Sequence, residues 1–224
     1  MKQTRSTPTI TAFKNSPDRG RGLARDFRVR WALEELEMPY EVQLVTFEDM
    51  KQPEYIALQP FSQIPAYKED DLVLFESGAI ILHIADTDAR LLPQDPRQKA
   101  KAISWMFASL NTVEPPIVER SFLTMFDKDK SYYQERLATL DERVHTRLKQ
   151  LSERLEDNEW LEANFTAGDL LMVTVLRRLD SSGLLKSHPK LEAYILRAEA
   201  RPAYQRAFAA QLAVYENARS DGKA

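Results

Sequence analysis

Residues 59–86, QPFSQIPAYKEDDLVLFESGAIILHIAD, constrain the fold of this chain more than any other stretch. The pattern predicts a strand that opens on Ile64-Pro65, a tight acidic turn, a second strand from Leu72 to Phe75, and a helix after Glu76-Ser77-Gly78. Proline is unusual at a strand start because its missing N–H removes a ladder hydrogen bond. An acid and a hydroxyl between a strand and a helix make an anion-binding corner. Together these features predict a preformed site for an extended, peptide-like ligand that carries a carboxylate.

The segments before this hairpin alternate between the periodicities of strands and helices. Thr9 to Phe13 is short, apolar and β-branched, and Tyr40 to Leu44 alternates apolar with polar residues, so both predict strands. Between them, apolar residues recur with helical spacing at Val29, Ala32, Leu33 and Leu36. The predicted order is strand, helix, strand, a short connector, then hairpin and helix.

Every segment beyond residue 88 has a helical pattern. Asp95-Pro96 is an N-cap followed by proline at the first helical position. Thr166 to Asp169 has the form of a capping box, which makes Asp169 a cap and not an acid catalyst. A long apolar stripe predicts one buried helix; its members are Leu137, Leu140, Val144, Leu148, Leu151 and Leu155. We therefore predict a polar tail over 1–8, an α/β domain over 9–88, a linker over 89–95 and an all-helical domain over 96–224.

Composition excludes several classes of function. The 31 basic and 34 acidic residues nearly balance, which argues against nucleic-acid and anionic-membrane partners. No apolar run approaches the roughly 18 residues of a membrane-spanning helix, and the start of the chain lacks an apolar signal core, so we expect a cytoplasmic protein. The absence of cysteine excludes disulfides, thiolate metal sites and a cysteine nucleophile. The three histidines show no metal-ligand spacing, and we expect no metal.

Four motifs, in order and at appropriate spacing, carry a resemblance to a known family. They are VRWALEELEMPYE (29–41), QIPAY with LVLFESGAI (63–80), FTAGDLLMVTVL (165–176) and HPKLEAY with ARPAYQRAF (188–208). The chain resembles the glutathione transferase superfamily, in its soluble bacterial type, over nearly its whole length. The resemblance implies a thioredoxin-like α/β N-terminal domain, an all-α C-terminal domain, a cis peptide bond before Pro65 and a homodimer.

The resemblance also implies glutathione as the co-substrate and assigns its contacts. Ile64, placed by Pro65, would pair its backbone N–H and C=O with the cysteinyl residue of the ligand. Ser77 would hold the α-carboxylate of the γ-glutamyl end, Glu76 its α-ammonium group, and Gln63 would lie near the glycyl arm. The competing interpretations are that Ser77 is only a helix N-cap and that Glu76 is a solvated acid.

The residue that activates the ligand thiol is ambiguous. Counting forward from Phe13, the expected hydroxyl is Ser16; counting back from the following helix, the position falls near 22–26, where there is no serine or tyrosine. The loop is longer than the resemblance leads us to expect. Asn15, Arg19 and Arg25 are the alternatives, as is a plain surface turn with no catalytic side chain.

The implied activity is a glutathione transferase that conjugates the glutathione thiolate to a small apolar electrophile, as in detoxification. Trp105 and Met106 are candidates for the electrophile pocket, although aromatics at helical spacing are more often core residues. A glutathione-dependent isomerase, peroxidase or dehalogenase, and a non-catalytic binding protein on the same scaffold, are the alternative hypotheses. The sequence carries no readable code for the electrophile.

Overall fold

The computed structural model describes residues 6–221, so part of the predicted tail over 1–8 lies outside the described residues. The described residues form two compact units, one over 6–92 together with 201–221, and one from Pro93 to Ala200. The division lies inside the range predicted as a linker. The predicted helical range 96–224 differs from this grouping at its end, because the last helix packs within the first unit.

The first unit follows the predicted order of strands and helices. Up to residue 92 its elements are β1 (Thr9–Phe13), α1 (Asp26–Glu35), β2 (Glu41–Val45), α2 (Pro53–Ile56), β3 (Ala66–Glu69), β4 (Leu72–Phe75) and α3 (Ser77–Ala85). A 3₁₀ turn, Asp49–Lys51, precedes α2. The strands described form one sheet in the order β2-β1-β3-β4, with β1 parallel to β2 and the other neighbours antiparallel.

The second unit is helical throughout its regular elements. They are α4 (Pro96–Ala108), a π-helical turn (Ser109–Val113), α5 (Glu114–Phe126), α6 (Tyr133–Leu155), α7 (Ala167–Leu176) and α8 (Pro189–Glu199). The last helix, α9 (Pro202–Asp221), belongs to the first unit. The predicted fold class, a thioredoxin-like α/β part and a helical part, is confirmed.

Local signals in the helical unit are confirmed as well. Asp95 caps α4 by accepting the backbone N–H groups of Arg97 and Gln98. Thr166 and Asp169 form the predicted capping box at the start of α7. The apolar stripe of α6 is buried except at Leu137, which is half-buried. No helix within residues 6–221 is both long and apolar enough to cross a membrane.

Helix α1 is the centre of the first unit, and its predicted apolar face is buried. It packs against α3 on one side and α9 on another, which is why charged residues of α1 are also removed from water. Trp31 of α1 meets Tyr204 of α9 edge to face, with ring centroids 5.0 Å apart. Aromatic pairs in this geometry add to the stabilisation from area burial. The aromatic contact therefore explains why the chain returns to this unit after residue 200.

Candidate functional site

Strand register brings the predicted ligand residues to one edge of the sheet. Ala66 of β3 lies opposite Phe75 of β4, so the residues just before β3 and just after β4 share an end of the hairpin. Ile10 of β1 lies opposite Tyr67, so the loop that leaves β1 emerges at the same end. The segments that meet there are 14–16, 63–65 and 76–77.

Two buried hydroxyls hold the segment around the cis Ile64-Pro65 bond. The backbone N–H of Ala66 donates to Thr11 Oγ1 at 2.8 Å, and the Thr11 and Tyr55 hydroxyls lie 2.9 Å apart. Tyr55 donates to the carbonyl of Gln63 at 2.7 Å. Because the Tyr55 proton is used on that carbonyl, Thr11 donates to Tyr55, and the chain of hydrogen bonds runs in one direction. The network fixes the residues on both sides of Ile64.

Between these fixed points, the backbone of Ile64 is available. In residues 6–221 neither its N–H nor its carbonyl makes a hydrogen bond to another protein group. Its side chain is buried in a cluster with Val45, Met50 and Tyr55. The side chain of Gln63 is exposed. The geometry therefore presents one unpaired backbone donor and acceptor, as a strand edge does.

Ser77 lies at the first position of α3, beside a buried arginine. Its Oγ accepts a long hydrogen bond, 3.4 Å, from Nη1 of Arg28, and both residues are buried. Glu76, with a φ of 68°, occupies the N-cap position, and α3 begins without a side-chain cap hydrogen bond. Ser77 is thus not the helix cap that the alternative interpretation required. A guanidinium, a hydroxyl and a helix N-terminus at one place form a site for an anion.

Sequence reasoning missed Arg28, although a signal for it exists. Residues 28, 32 and 36 are spaced four apart, so in a helix they lie on the same face, and Ala32 and Leu36 belong to the predicted buried face. A charged residue on such a line is buried with a partner more often than alone. This spacing predicts that Arg28 is buried, but it does not identify Ser77 as the neighbour of Arg28.

The loop after β1 is organised around Asp18, which sequence reasoning also missed. One carboxylate oxygen of Asp18 accepts the Ser16 hydroxyl at 2.6 Å and the Gly20 N–H at 3.0 Å. The other accepts the N–H groups of Leu23 and Ala24 at 2.6 and 2.9 Å. A serine hydroxyl has a single proton, and here Ser16 donates it to Asp18.

The remaining candidates in this loop have different surroundings. Asn15 and Arg19 are exposed, and Arg25 is half-buried at the N-cap position of α1. Gly20 has a φ of +71°, and a Cβ there would come within 3.0 Å of the Leu212 backbone in α9. The loop is therefore held by the Asp18 carboxylate and by close packing on the last helix.

Trp105 and Met106 are both engaged inside the helical unit. The indole N–H of Trp105 donates to Glu162 at 3.0 Å, and the Arg154 guanidinium lies over the ring. Met106 is buried. Gly168 of α7 fits against Trp105 so closely that a Cβ would approach it to 2.7 Å. These contacts give both side chains a packing role.

The histidines are less scattered than the sequence indicated. His83 lies 3.2 Å from Glu69 in the first unit, whereas His145 and His188 contact each other in the second. Among residues 6–221 there is no group of three or more His, Cys, Asp or Glu arranged to hold a metal.

Comparison with known proteins agrees with this geometry. Residues 19–86 match the model of the glutathione S-transferase N-terminal domain. The chain is 31% identical over 197 residues to a glutathione S-transferase of Hyoscyamus muticus, covering 80% of this chain and 91% of the relative. It is 28% identical over 149 residues to the disulfide-bond oxidoreductase YfcG of Escherichia coli, covering 62% of this chain and 68% of that one.

A solved structure of a glutathione transferase from Burkholderia graminis, with two glutathione molecules bound per subunit, is also similar. It superimposes with a TM-score of 0.79 at 26% identity, over 90% of this chain and 87% of that one. Motif order, sheet topology and a relative matched over nine-tenths of its length all agree. The chain belongs to the glutathione transferase superfamily.

Proposed function

We propose that this protein binds glutathione at the edge formed by residues 63–65 and 76–77 and transfers its thiolate to a small apolar electrophile. The observation that carries the proposal is the buried pair of Ser77 and Arg28 at the N-terminus of α3. Glutathione is a peptide with two carboxylates, and such a ligand matches an anion site beside an unpaired backbone edge. The glutathione bound in the Burkholderia graminis relative supports the same assignment.

The proposal assigns one part of glutathione to each of these groups. The N–H and C=O of Ile64 pair with the cysteinyl backbone of glutathione as one added strand residue would. Ser77 holds the γ-glutamyl carboxylate, with the charge of Arg28 behind it, and the exposed Glu76 pairs with the α-ammonium group. Gln63, also exposed, faces the glycyl arm.

Activation of the thiol requires a donor, because a free thiol with a pKa of about 8.5 is mostly protonated at pH 7. In our proposal Ser16 turns its hydroxyl from Asp18 to the thiolate. Asp18 keeps three backbone N–H donors when Ser16 leaves, so its charge stays paired. Asn15, Arg19 and Arg25 remain the alternative activators. The pocket role of Trp105 and Met106 also stays a prediction.

The test is a calorimetric titration with glutathione and S-methyl glutathione from pH 6 to 9, followed by a conjugation assay with a chloronitrobenzene. We expect the free-thiol ligand to gain affinity as pH rises and the methylated ligand to stay constant. Equal pH dependence for both would exclude thiolate activation. The absence of binding would overturn the proposal in favour of a non-catalytic member.

Reduction of disulfides is a second candidate, favoured by the similarity to YfcG and by the hydrogen bond that occupies Ser16. One glutathione thiolate would attack a disulfide sulfur and expel a thiolate. A second glutathione would then attack the mixed disulfide and release glutathione disulfide. The chain has no cysteine, so both thiols come from glutathione. In an assay with a substrate disulfide, one glutathione disulfide formed for each substrate disulfide reduced, with no conjugate formed in the transferase assay, would show that the protein reduces disulfides.

We further propose a cytoplasmic homodimer. Phe61 is 64% exposed and meets Phe75 edge to face at 6.0 Å, which leaves an aromatic surface on the first unit. Sedimentation at micromolar concentration should show a dimer, and Phe61→Ser should shift it towards monomer. A wild-type chain that sediments only as monomer would remove this proposal.

A further inference from the structure

The helical unit brings together two histidines that are 43 residues apart in the chain. Nδ1 of His145, in the middle of α6, lies 3.4 Å from Nε2 of His188, the residue before α8. The rings are tilted by 37° with centroids 5.7 Å apart. Two imidazole nitrogens therefore face each other across a narrow gap.

The separation of these nitrogens fits a shared metal ion. Hydrogen bonds from N–H groups in proteins are usually about 2.7–3.2 Å long, so 3.4 Å is long for a pair of this kind. Two histidine nitrogens bound to one tetrahedral Zn²⁺, each about 2.0–2.1 Å from the ion, lie about 3.3–3.4 Å apart. The observed distance between the two nitrogens equals the distance between two ligand atoms of a tetrahedral Zn²⁺ ion.

The backbones that carry the two rings are fixed. The N–H of His188 donates to the Leu185 carbonyl at 2.7 Å, and its own carbonyl accepts from Leu191 and Glu192. His145 follows Val144, a fully buried residue of the α6 stripe. Sites built on such elements keep their geometry better than sites on loops.

The surroundings suit a transition metal with water as the other ligand. Both histidines are half-buried, so solvent reaches them. Metal binding needs the neutral form of both imidazoles. Imidazole nitrogens select Zn²⁺, Cu²⁺ and Ni²⁺ over Mg²⁺ and Ca²⁺.

We propose that His145 and His188 form a two-histidine site for a divalent first-row transition metal ion, with Zn²⁺ as the ion used for the test and water completing the shell. The bound ion would join α6 to the start of α8. This role is separate from glutathione binding, because both histidines lie outside the first unit. An ion that binds only the folded chain stabilises it by mass action.

The test is calorimetric titration of the untagged, metal-free protein with Zn²⁺ in the absence of glutathione. We expect one ion per chain, and a thermal midpoint raised by about 5 °C or more when free Zn²⁺ exceeds its Kd a hundredfold. His145→Asn and His188→Asn should each weaken binding at least tenfold. His83→Asn, which removes the histidine beside Glu69, is the matched control and should bind as the wild type does. Mg²⁺ should give no shift.

Cu²⁺ bound to the wild-type chain gives a readout that does not depend on the variants folding. Its electron paramagnetic resonance spectrum should show coupling to two imidazole nitrogens. Coupling to one nitrogen or none, equal Zn²⁺ affinity in the wild type and either variant, or no saturable binding would overturn the proposal. The pair would then be a hydrogen-bonded contact only.

Discussion

Ser77 does more than begin a helix, because its hydroxyl also contacts the buried guanidinium of Arg28. A charge-assisted hydrogen bond to a ligand carboxylate is worth about 1.5–3 kcal/mol. We expect Ser77→Ala to weaken glutathione binding about 10- to 100-fold, as measured by calorimetry. Ser104→Ala, at an exposed position of α4, is the control. A change within twofold for Ser77→Ala would contradict the carboxylate assignment.

Asp26 is a second residue whose surroundings have a measurable consequence. Burial raises the pKa of its carboxyl above 3.8, and the hydrogen bonds from Arg30 and Gln211 offset only part of that rise. Between the unfolded and folded pKa values the folded state binds more protons. The contribution of Asp26 to the free energy of unfolding therefore falls as pH rises from 3.8 through the raised pKa.

This effect is checked by urea denaturation of the wild type and Asp26→Asn at several pH values from 4 to 7. The asparagine variant cannot titrate at this position. We expect the difference in unfolding free energy, wild type minus variant, to decrease as pH rises. A difference that grows with pH would show that Arg30 outweighs the cost of burial.

At the residue scale, the sequence signals are clearest where the backbone itself changes course. Ile64 and Ser77 are marked by the proline and by the strand-to-helix junction. Arg28 shows only the helical spacing of a buried position, and its partner Ser77 is 49 residues away in the chain; the partners of Asp18 are backbone N–H groups, which carry no side-chain pattern. A side chain whose partner is distant in sequence, or is a backbone group, cannot be paired with that partner from the sequence pattern alone.

Among the elements, the contact between β1 and the start of β3 depends on one threonine. Thr11→Val leaves the Ala66 N–H without its acceptor and Tyr55 without its donor, both in buried surroundings. Leaving such groups unpaired costs about 1–3 kcal/mol. We expect a loss of that size in urea denaturation and weaker glutathione binding, since Gln63 to Ala66 are no longer fixed.

Thr11→Ser keeps the hydroxyl and is the matched variant. It should retain glutathione affinity and lose less stability than Thr11→Val. Equal losses in both variants would show that the methyl group, and not the hydrogen-bond network, accounts for the stability.

Elements with a clear period were predicted well, and the irregular segments were not. The strands, the hairpin and the α6 stripe follow from alternation or helical spacing alone. The loop after β1 has neither period, and its shape comes from one carboxylate that accepts four donors. A π-helical turn directly precedes α5, which begins at Glu114, and proline follows Glu114 because proline is tolerated in the first turn of a helix.

For the whole molecule, α9 completes the first unit through charged contacts as well as aromatic ones. Arg201 makes two hydrogen bonds to the Glu35 carboxylate, at 2.6 and 2.7 Å, and Arg206 donates to Glu34. We expect a chain truncated after Ala200 to lose hydrogen-exchange protection in α1 while α6 keeps it. Loss of protection in α6 instead would show that α9 supports the helical unit.

The sequence predicts a change from alternating to helical patterns near residue 88. Nothing in the sequence predicted that the chain returns to it, because α9 has the same helical pattern as its predecessors. A helix belongs to the unit whose elements pack against its apolar face. The partner face on α1 is visible only once the chain has folded.

The return of the chain also sets the order in which the units can be completed during synthesis. Leu92 leaves the ribosome long before Arg201, and the 93–200 segment lies between them. At about 5–20 residues per second, the first unit waits about 5–20 s for its last helix. In that interval Trp31 and Phe27 lack the Tyr204 ring that covers them. The N-terminal unit, although translated first, is therefore the last to finish.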